Sequence, residues 1–120
     1  MFGFEKLDVW KRSLHFADAM FTVADGLPKR YQFSLGDQLR RASLSVPTNI
    51  AEGSGRQSSK EQAYFYNIAK GSMYEVVSLL ALIGKRGHLT RENYQQYHQE
   101  ADEIAAMLNG LVKAARSRAN

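Results

Sequence analysis

The chain has 120 residues, 44% of them hydrophobic and 23% charged. That length predicts one domain over residues 1–120, with a core that needs no cross-links. The absence of cysteine excludes disulfides, thiolate zinc sites and cysteine nucleophiles together, and a net charge of +4 permits a polyanionic partner without demanding one.

The opening Met1-Phe2-Gly3-Phe4-Glu5-Lys6 has no basic region leading into an apolar core, so no signal peptide is expected. Leu7, Trp10, Leu14, Ala17, Phe21 and Ala24 then recur at steps of three and four, the period of one helix face. Gly26-Leu27-Pro28 ends this first helix. After a basic, aromatic connection from Lys29 to Phe33, Ser34 and Asp37 have capping-box-like spacing for a second helix, with an apolar side of Leu35, Leu39, Ala42, Val46 and Ile50. Pro47 lies inside it and cannot bond the Ser43 carbonyl, which predicts a kink rather than a break. Gly53-Ser54-Gly55 reads as a stop made with left-handed glycines.

Ser58 and Glu61 form a capping box for a third helix striped by Tyr66, Ala69, Met73, Val76, Leu80 and Ile83, which ends between Gly84 and Gly87. Thr90 caps a fourth, with Tyr94, Tyr97, Ala101, Ile104, Leu108 and Leu111 on one side. No stretch alternates with a strand's period, so the fold class is all-α. Helices of about 20 to 28 residues with short connections predict an up-down-up-down antiparallel four-helix bundle, fraying only from Ser117 to Asn120. The longest apolar stretch, Val76 to Ile83, is broken by Ser78 and falls far short of the ~20 residues a membrane-spanning helix needs, so no membrane partner and a cytoplasmic location are expected.

Two helices carry a second apolar stripe: Val9, Phe16, Met20 and Val23 on the first, and Phe65, Ile68, Leu79 and Leu82 on the third. A second stripe is either a wide buried face on a central helix or a contact between copies, and the sequence favours self-association.

Catalytic signatures are missing. Di-iron bundles need Glu-x-x-His on two helices, yet none of the chain's glutamates has a histidine three residues on, and His15, His88 and His98 are widely separated. No metal site and no cofactor are therefore expected. No serine lies in a nucleophile elbow. Glu52-Gly53-Ser54-Gly55-Arg56 follows a helix rather than a strand and lacks the Gly-Lys-Ser/Thr ending of a phosphate loop.

Polarity does interrupt the apolar stripes, at Asn49 and Glu52 in the second helix and at Ser72 and Glu75 in the third. A buried carboxylate needs a cation or several donors, and Arg40 and Arg41 are the candidates to meet Glu75 or Glu52. These four polar residues read as a structural network that fixes helix register or a subunit contact, with ligand contact or a carboxylate pair as the alternatives. The cations cluster as well: Lys29, Arg30, Arg40, Arg41, Arg56 and Lys60 face only Asp37 and Glu52 in their segment, with Lys85-Arg86 and Lys113, Arg116 and Arg118 near other helix ends. Cations near helix C-termini also complement the dipole, a purely structural reason for several of them.

The run from Gln38 to Gly53 (QLRRASLSVPTNIAEG), with Phe4 to Trp10 (FEKLDVW) and Ala69 to Glu75 (AKGSMYE), resembles the bacterial four-helix-bundle proteins encoded in intervening sequences of large-subunit ribosomal RNA genes. A related branch is the accessory variability protein of diversity-generating retroelements, a partner of the reverse transcriptase. The resemblance implies a ring-shaped homopentamer, without catalytic activity, that binds nucleic acid through basic surfaces. It also marks a departure: family members commonly carry an acidic pair after Pro28, where this chain has Arg30 and Tyr31. That change tightens binding if the connection meets polyanions, and weakens the ring if it normally pairs with neighbouring arginines.

The expectation is thus a non-catalytic homo-oligomer that binds structured RNA or DNA by charge and shape. Lys29, Arg30, Arg40, Arg41, Arg56, Lys60, Lys85 and Arg86 are its expected phosphate contacts, Arg40 and Arg41 being open to internal pairing. The alternative is a protein adaptor or accessory subunit for a nucleic-acid enzyme such as a reverse transcriptase.

Overall fold

In the computed structural model, which describes residues 1–119, a short 3-10 turn (Gly3–Lys6) leads into helix α1 (Asp8–Asp25). The chain then forms α2 (Lys29–Tyr31), a π-helical turn (Gln32–Gly36), and the long helices α3 (Asp37–Ser54), α4 (Ser59–Lys85) and α5 (Arg91–Ala119). The fold is all-α, with four long helices and no strand among the described residues. Helix α3 packs on both α1 and α4, α4 packs on α5, and α1 touches α5 only lightly. The assembly measures 48 × 22 × 21 Å.

Local chemistry sets most boundaries where the sequence places them. The Ser58 hydroxyl accepts the Glu61 N–H at 3.1 Å and opens α4, and the Thr90 hydroxyl accepts the Asn93 N–H at 3.1 Å at the head of α5. Helix α3 runs through Pro47 without a break. Helix α5 holds through Ala119, past the Ser117 at which the sequence predicts fraying; Asn120 lies outside the described residues.

Two boundaries differ. Ser34 caps nothing: the chain is already helical from Lys29, in one run that continues to Ser54. Pro28, extended at ψ 150°, is the true cap position, and its carbonyl accepts the Tyr31 N–H at 2.8 Å. The glycines at the end of α3 are not left-handed either, for Gly87 alone has a positive φ among the described residues. Gly53 is small because α4 crosses it closely: a Cβ there would stand 2.9 Å from Cε1 of Tyr66 and 3.0 Å from Cβ of Phe65.

The core is formed by Phe16 and Met20 of α1, Leu39, Val46 and Ile50 of α3, Met73, Val76, Leu80 and Ile83 of α4, and Ile104 and Leu108 of α5. Each large side chain so buried contributes about 1.5 to 3 kcal/mol relative to exposure. On α1 the buried face is turned toward the second stripe, with Ala17 and Ala24 of the first stripe still buried. Val9, Phe16 and Met20, read from sequence as the second stripe, point inward, while Leu14 on the first stripe stays 44% exposed and Leu7, Trp10 and Phe21 are only half-buried. The centres of the two stripes are about 120° apart at 100° per residue, and period alone does not say which one meets the rest of the chain. On α4 the second stripe is mostly absorbed, since this helix lies between α3 and α5; Phe65, Ile68 and Leu79 are half-buried and Leu82 remains exposed.

Tyr66 links packing to pH. Its side chain is 5% exposed, and burial pushes its phenol above the ordinary value, with Arg118 pulling weakly the other way. A folded pKa above the unfolded one of ~10 means the contribution to stability is complete below that value and lost as pH rises through the folded one. The expected result is a Tm that falls in strong alkali and falls less in Tyr66→Phe, checked by thermal melts from neutral pH upward. Equal losses in both proteins would remove Tyr66 as the cause.

Candidate nucleic-acid interface

The eight cations picked from the sequence fall into two groups at opposite ends of α4, plus Arg41. Lys60 and Lys85 are 25 residues apart on one helix, about 37 Å at 1.5 Å per residue. One copy therefore presents two basic ends rather than one continuous patch.

At the first end α2 meets the end of α4. Helix α4 finishes with Gly87 at φ 82°, the left-handed conformation that turns the chain back, and the His88 N–H bonds the Ile83 carbonyl at 3.0 Å. This turn brings Arg86 and His88 to Tyr31. Arg86 donates to the Tyr31 hydroxyl from Nε at 3.1 Å and Nη2 at 2.7 Å, the Arg30 guanidinium lies 4.8 Å from the ring centroid, and His88 meets the ring edge-on at 5.6 Å. Arg30, and after it Arg86, hold the Tyr31 phenol below its ordinary pKa. Lys29 and Lys85 are exposed beside them in sequence.

Arg40, one of the eight, is occupied. Its Nη2 donates to Asp25 at 2.8 Å and to the Gln32 side-chain oxygen at 2.7 Å, and its Nη1 to Asp37 at 3.1 Å. Gly36 leaves the room it needs, for a Cβ there would stand 3.2 Å from Nη1. Gln32 in turn donates its amide to the carbonyls of Ala24 at 2.9 Å, Leu27 at 2.8 Å and, more loosely, Asp25 at 3.3 Å, capping the end of α1. The expected pairing of Arg40 with Glu75 or Glu52 does not form, because Asp25 and Asp37 lie on its side of the fold. Arg41 is exposed and makes no ion pair among the described residues.

The consequence is electrostatic. Arg40 engages both Asp25 and Asp37, so those carboxylates are already paired at the end where the cations gather. Lys29, Arg30, Lys85 and Arg86 make no ion pair among the described residues. Arg86 rests on a phenol hydroxyl rather than a carboxylate, which orients the guanidinium without forming an ion pair.

The second end has one paired cation, while Lys60, Arg116 and Arg118 make no ion pair among the described residues. Arg56 forms an ion pair with Glu52 one turn back and lies 4.6 Å from the Phe65 ring centroid. Lys60 and Arg116 line a shallow groove with Tyr64 and Asn67, and Arg118 donates to the Gln62 side chain at 2.8 Å.

The polar network is half as expected. Asn49 donates to the Ser45 carbonyl at 2.8 Å and its hydroxyl at 2.9 Å, and Ser45 shares a 2.8 Å hydrogen bond with Ser72 across α3 and α4. Ser45, which no stripe in the sequence marks, is the link. Glu75 is exposed and Glu52 faces Arg56, so neither carboxylate belongs to the network. Both sit at the edge of their stripes, where solvent still reaches them.

Histidines stay apart: His15 borders α1's outer groove, His88 packs on Tyr31, and His98 lies 4.0 Å from Asp102. That outer groove, about 550 Å³, is lined by Trp10, Leu14, Ala17 and Phe21 of α1 and by Leu44 of α3, itself 46% exposed. No helix among the described residues is long and apolar enough to cross a membrane.

No curated protein matches the chain. Among solved structures, the 1.70 Å crystal structure of a protein of unknown function from the S23 ribosomal protein family, from Bacteroides thetaiotaomicron VPI-5482, is similar at 27% identity with a TM-score of 0.81, covering 88% of this chain and 98% of its own. The model of the 23S rRNA-intervening sequence proteins matches residues 5–110, from the 3-10 turn well into the last helix, and the chain belongs to that family.

Proposed function

We propose that this chain is a non-catalytic, homo-oligomeric nucleic-acid-binding protein of the cytoplasm, an up-down-up-down antiparallel bundle whose copies form a ring, and that it takes structured RNA or DNA by charge and shape. The observation that carries the reading is the basic end of α2 and α4, where Arg40 engages Asp25 and Asp37 while Lys29, Arg30, Lys85 and Arg86 keep their charge. Antiparallel packing is supported by contacts that run in opposite sequence order: Ser45 with Ser72 and Gly53 against Tyr66 between α3 and α4, and Lys70 with Asn109 and Gln62 with Arg118 between α4 and α5. Association is supported by the open apolar groove on α1.

The test is fluorescence anisotropy with structured RNA and duplex DNA at about 50 and 200 mM salt, with the solution mass recorded alongside. A ring touching six or more phosphates loses roughly a thousandfold in affinity between those salts. Absence of binding at the lower salt would sink the reading. The groove on α1 also favours a second reading, a protein adaptor that docks a partner helix there, and binding of a protein that survives high salt is its signature.

A further inference from the structure

Phe33 is the unexplained residue of the basic end. It is 86% exposed, more than any other large hydrophobic side chain except Met1. It sits within the π-helical turn Gln32–Gly36 and follows Lys29 and Arg30 by four and three residues, within about one turn of both in the same helical run. All three are exposed. Tyr31, the neighbouring aromatic, is already engaged by Arg30, Arg86 and His88, so Phe33 is the ring at this end left open. A phosphate-only surface has no use for an open phenyl ring. Aromatic rings interleaved with cations are what an unpaired strand needs: the cations follow its backbone while the bases, each with a flat π-face, stack on the rings. Duplexes offer no such face except at their ends, because their bases are already stacked.

We infer that the Lys29–Arg30–Phe33 ridge is a stacking site for an unpaired nucleotide, so that this end of the protein takes single-stranded segments of its nucleic acid, loops or tails, in preference to duplex. The inference rests on the polyanion reading above and adds the class of strand and the residue that selects it. Lys29 and Arg30 hold phosphates flanking the stacked base, with Lys85 and Arg86 extending the track. Stacking tolerates any base, so the site discriminates strandedness rather than sequence.

The test compares a labelled oligothymidine of about 12 nucleotides with a duplex of equal length, each titrated against the wild-type chain, Phe33→Leu and Phe33→Tyr. Both substitutions are at an exposed position, and melts and solution mass accompany the titrations. Phe33→Leu is expected to weaken single-strand binding about tenfold, leave duplex binding and the salt slope unchanged, and Phe33→Tyr to retain wild-type affinity. Wild-type affinity for the single strand in Phe33→Leu overturns the inference while leaving the polyanion reading in place. So does an equal loss for both probes, or a change in solution mass, which would assign Phe33 to a contact between copies. If no probe binds the wild-type chain at low salt, the polyanion reading falls and the stacking site with it.

Discussion

Replacing Gly53 by valine is expected to lower the unfolding free energy by about 2 to 3 kcal/mol, and Tm by about 10 °C. A side chain there begins 2.9 Å from the Tyr66 ring and 3.0 Å from Cβ of Phe65, well inside contact distance. Tyr66 is buried and has no easy retreat, and Phe65 lies on the same helix, so α3 and α4 must separate or the ring must leave its place. Alanine is the milder variant: its gain in helix propensity over glycine, up to about 1 kcal/mol, partly offsets the clash. Gly71 is the control. It sits exposed inside α4 with nothing within 4 Å of an added Cβ, so Gly71→Ala should stabilise by about 0.5 to 1 kcal/mol. Denaturant melts of the three variants check the contrast, and a Gly53→Val protein as stable as wild type would show that the helices do not meet so closely.

The second large effect concerns binding. Reversing Lys29 and Arg30 to glutamate removes two unpaired cations from the end where Asp25 and Asp37 are already engaged by Arg40. Two lost phosphate contacts reduce affinity about a hundredfold at about 50 mM salt and flatten the log–log salt slope by about 2. Both residues are exposed and the Arg30 contact with the Tyr31 ring contributes at most about 1 kcal/mol, so the fold is expected to stay and Tm to fall by no more than about 5 °C. Lys60→Glu, at the other end of α4, should cost far less. Anisotropy titrations at several salt concentrations separate the outcomes, and a larger loss from Lys60→Glu would move the site to the opposite end.

What the sequence revealed follows the range of the interactions concerned. Caps are local: Ser58 and Thr90 bond a backbone N–H three residues on, and the spacing alone located them. Helix faces are legible only up to rotation. On α1 the bulky Trp10, Leu14 and Phe21 outweighed Val9, Phe16 and Met20, but the latter meet the core, since facing depends on where α3 passes. Arg40 shows the same limit. Asp37 lies one turn away, but Asp25 reaches Arg40 only because the chain folds back at Pro28. Gln32, between them, has nothing in its sequence context to mark it as the residue that closes this corner. Exposed Phe33 was hidden for a related reason, because a phenylalanine in a connection reads as ordinary apolar content until its surroundings are known.

Gln32 also decides whether α1 can leave its own chain. Exchange of a terminal helix between copies requires the hinge before the next helix to straighten. Here the hinge is Gly26-Leu27-Pro28, and straightening it strips the Gln32 amide from three carbonyls and parts Asp25 from Arg40. With each net hydrogen bond contributing about 1 kcal/mol, the open hinge lies several kcal/mol above the closed one. A lone chain therefore keeps α1 folded back on itself, and exchange between copies would gain nothing at this corner, since the same bonds would only re-form across the pair.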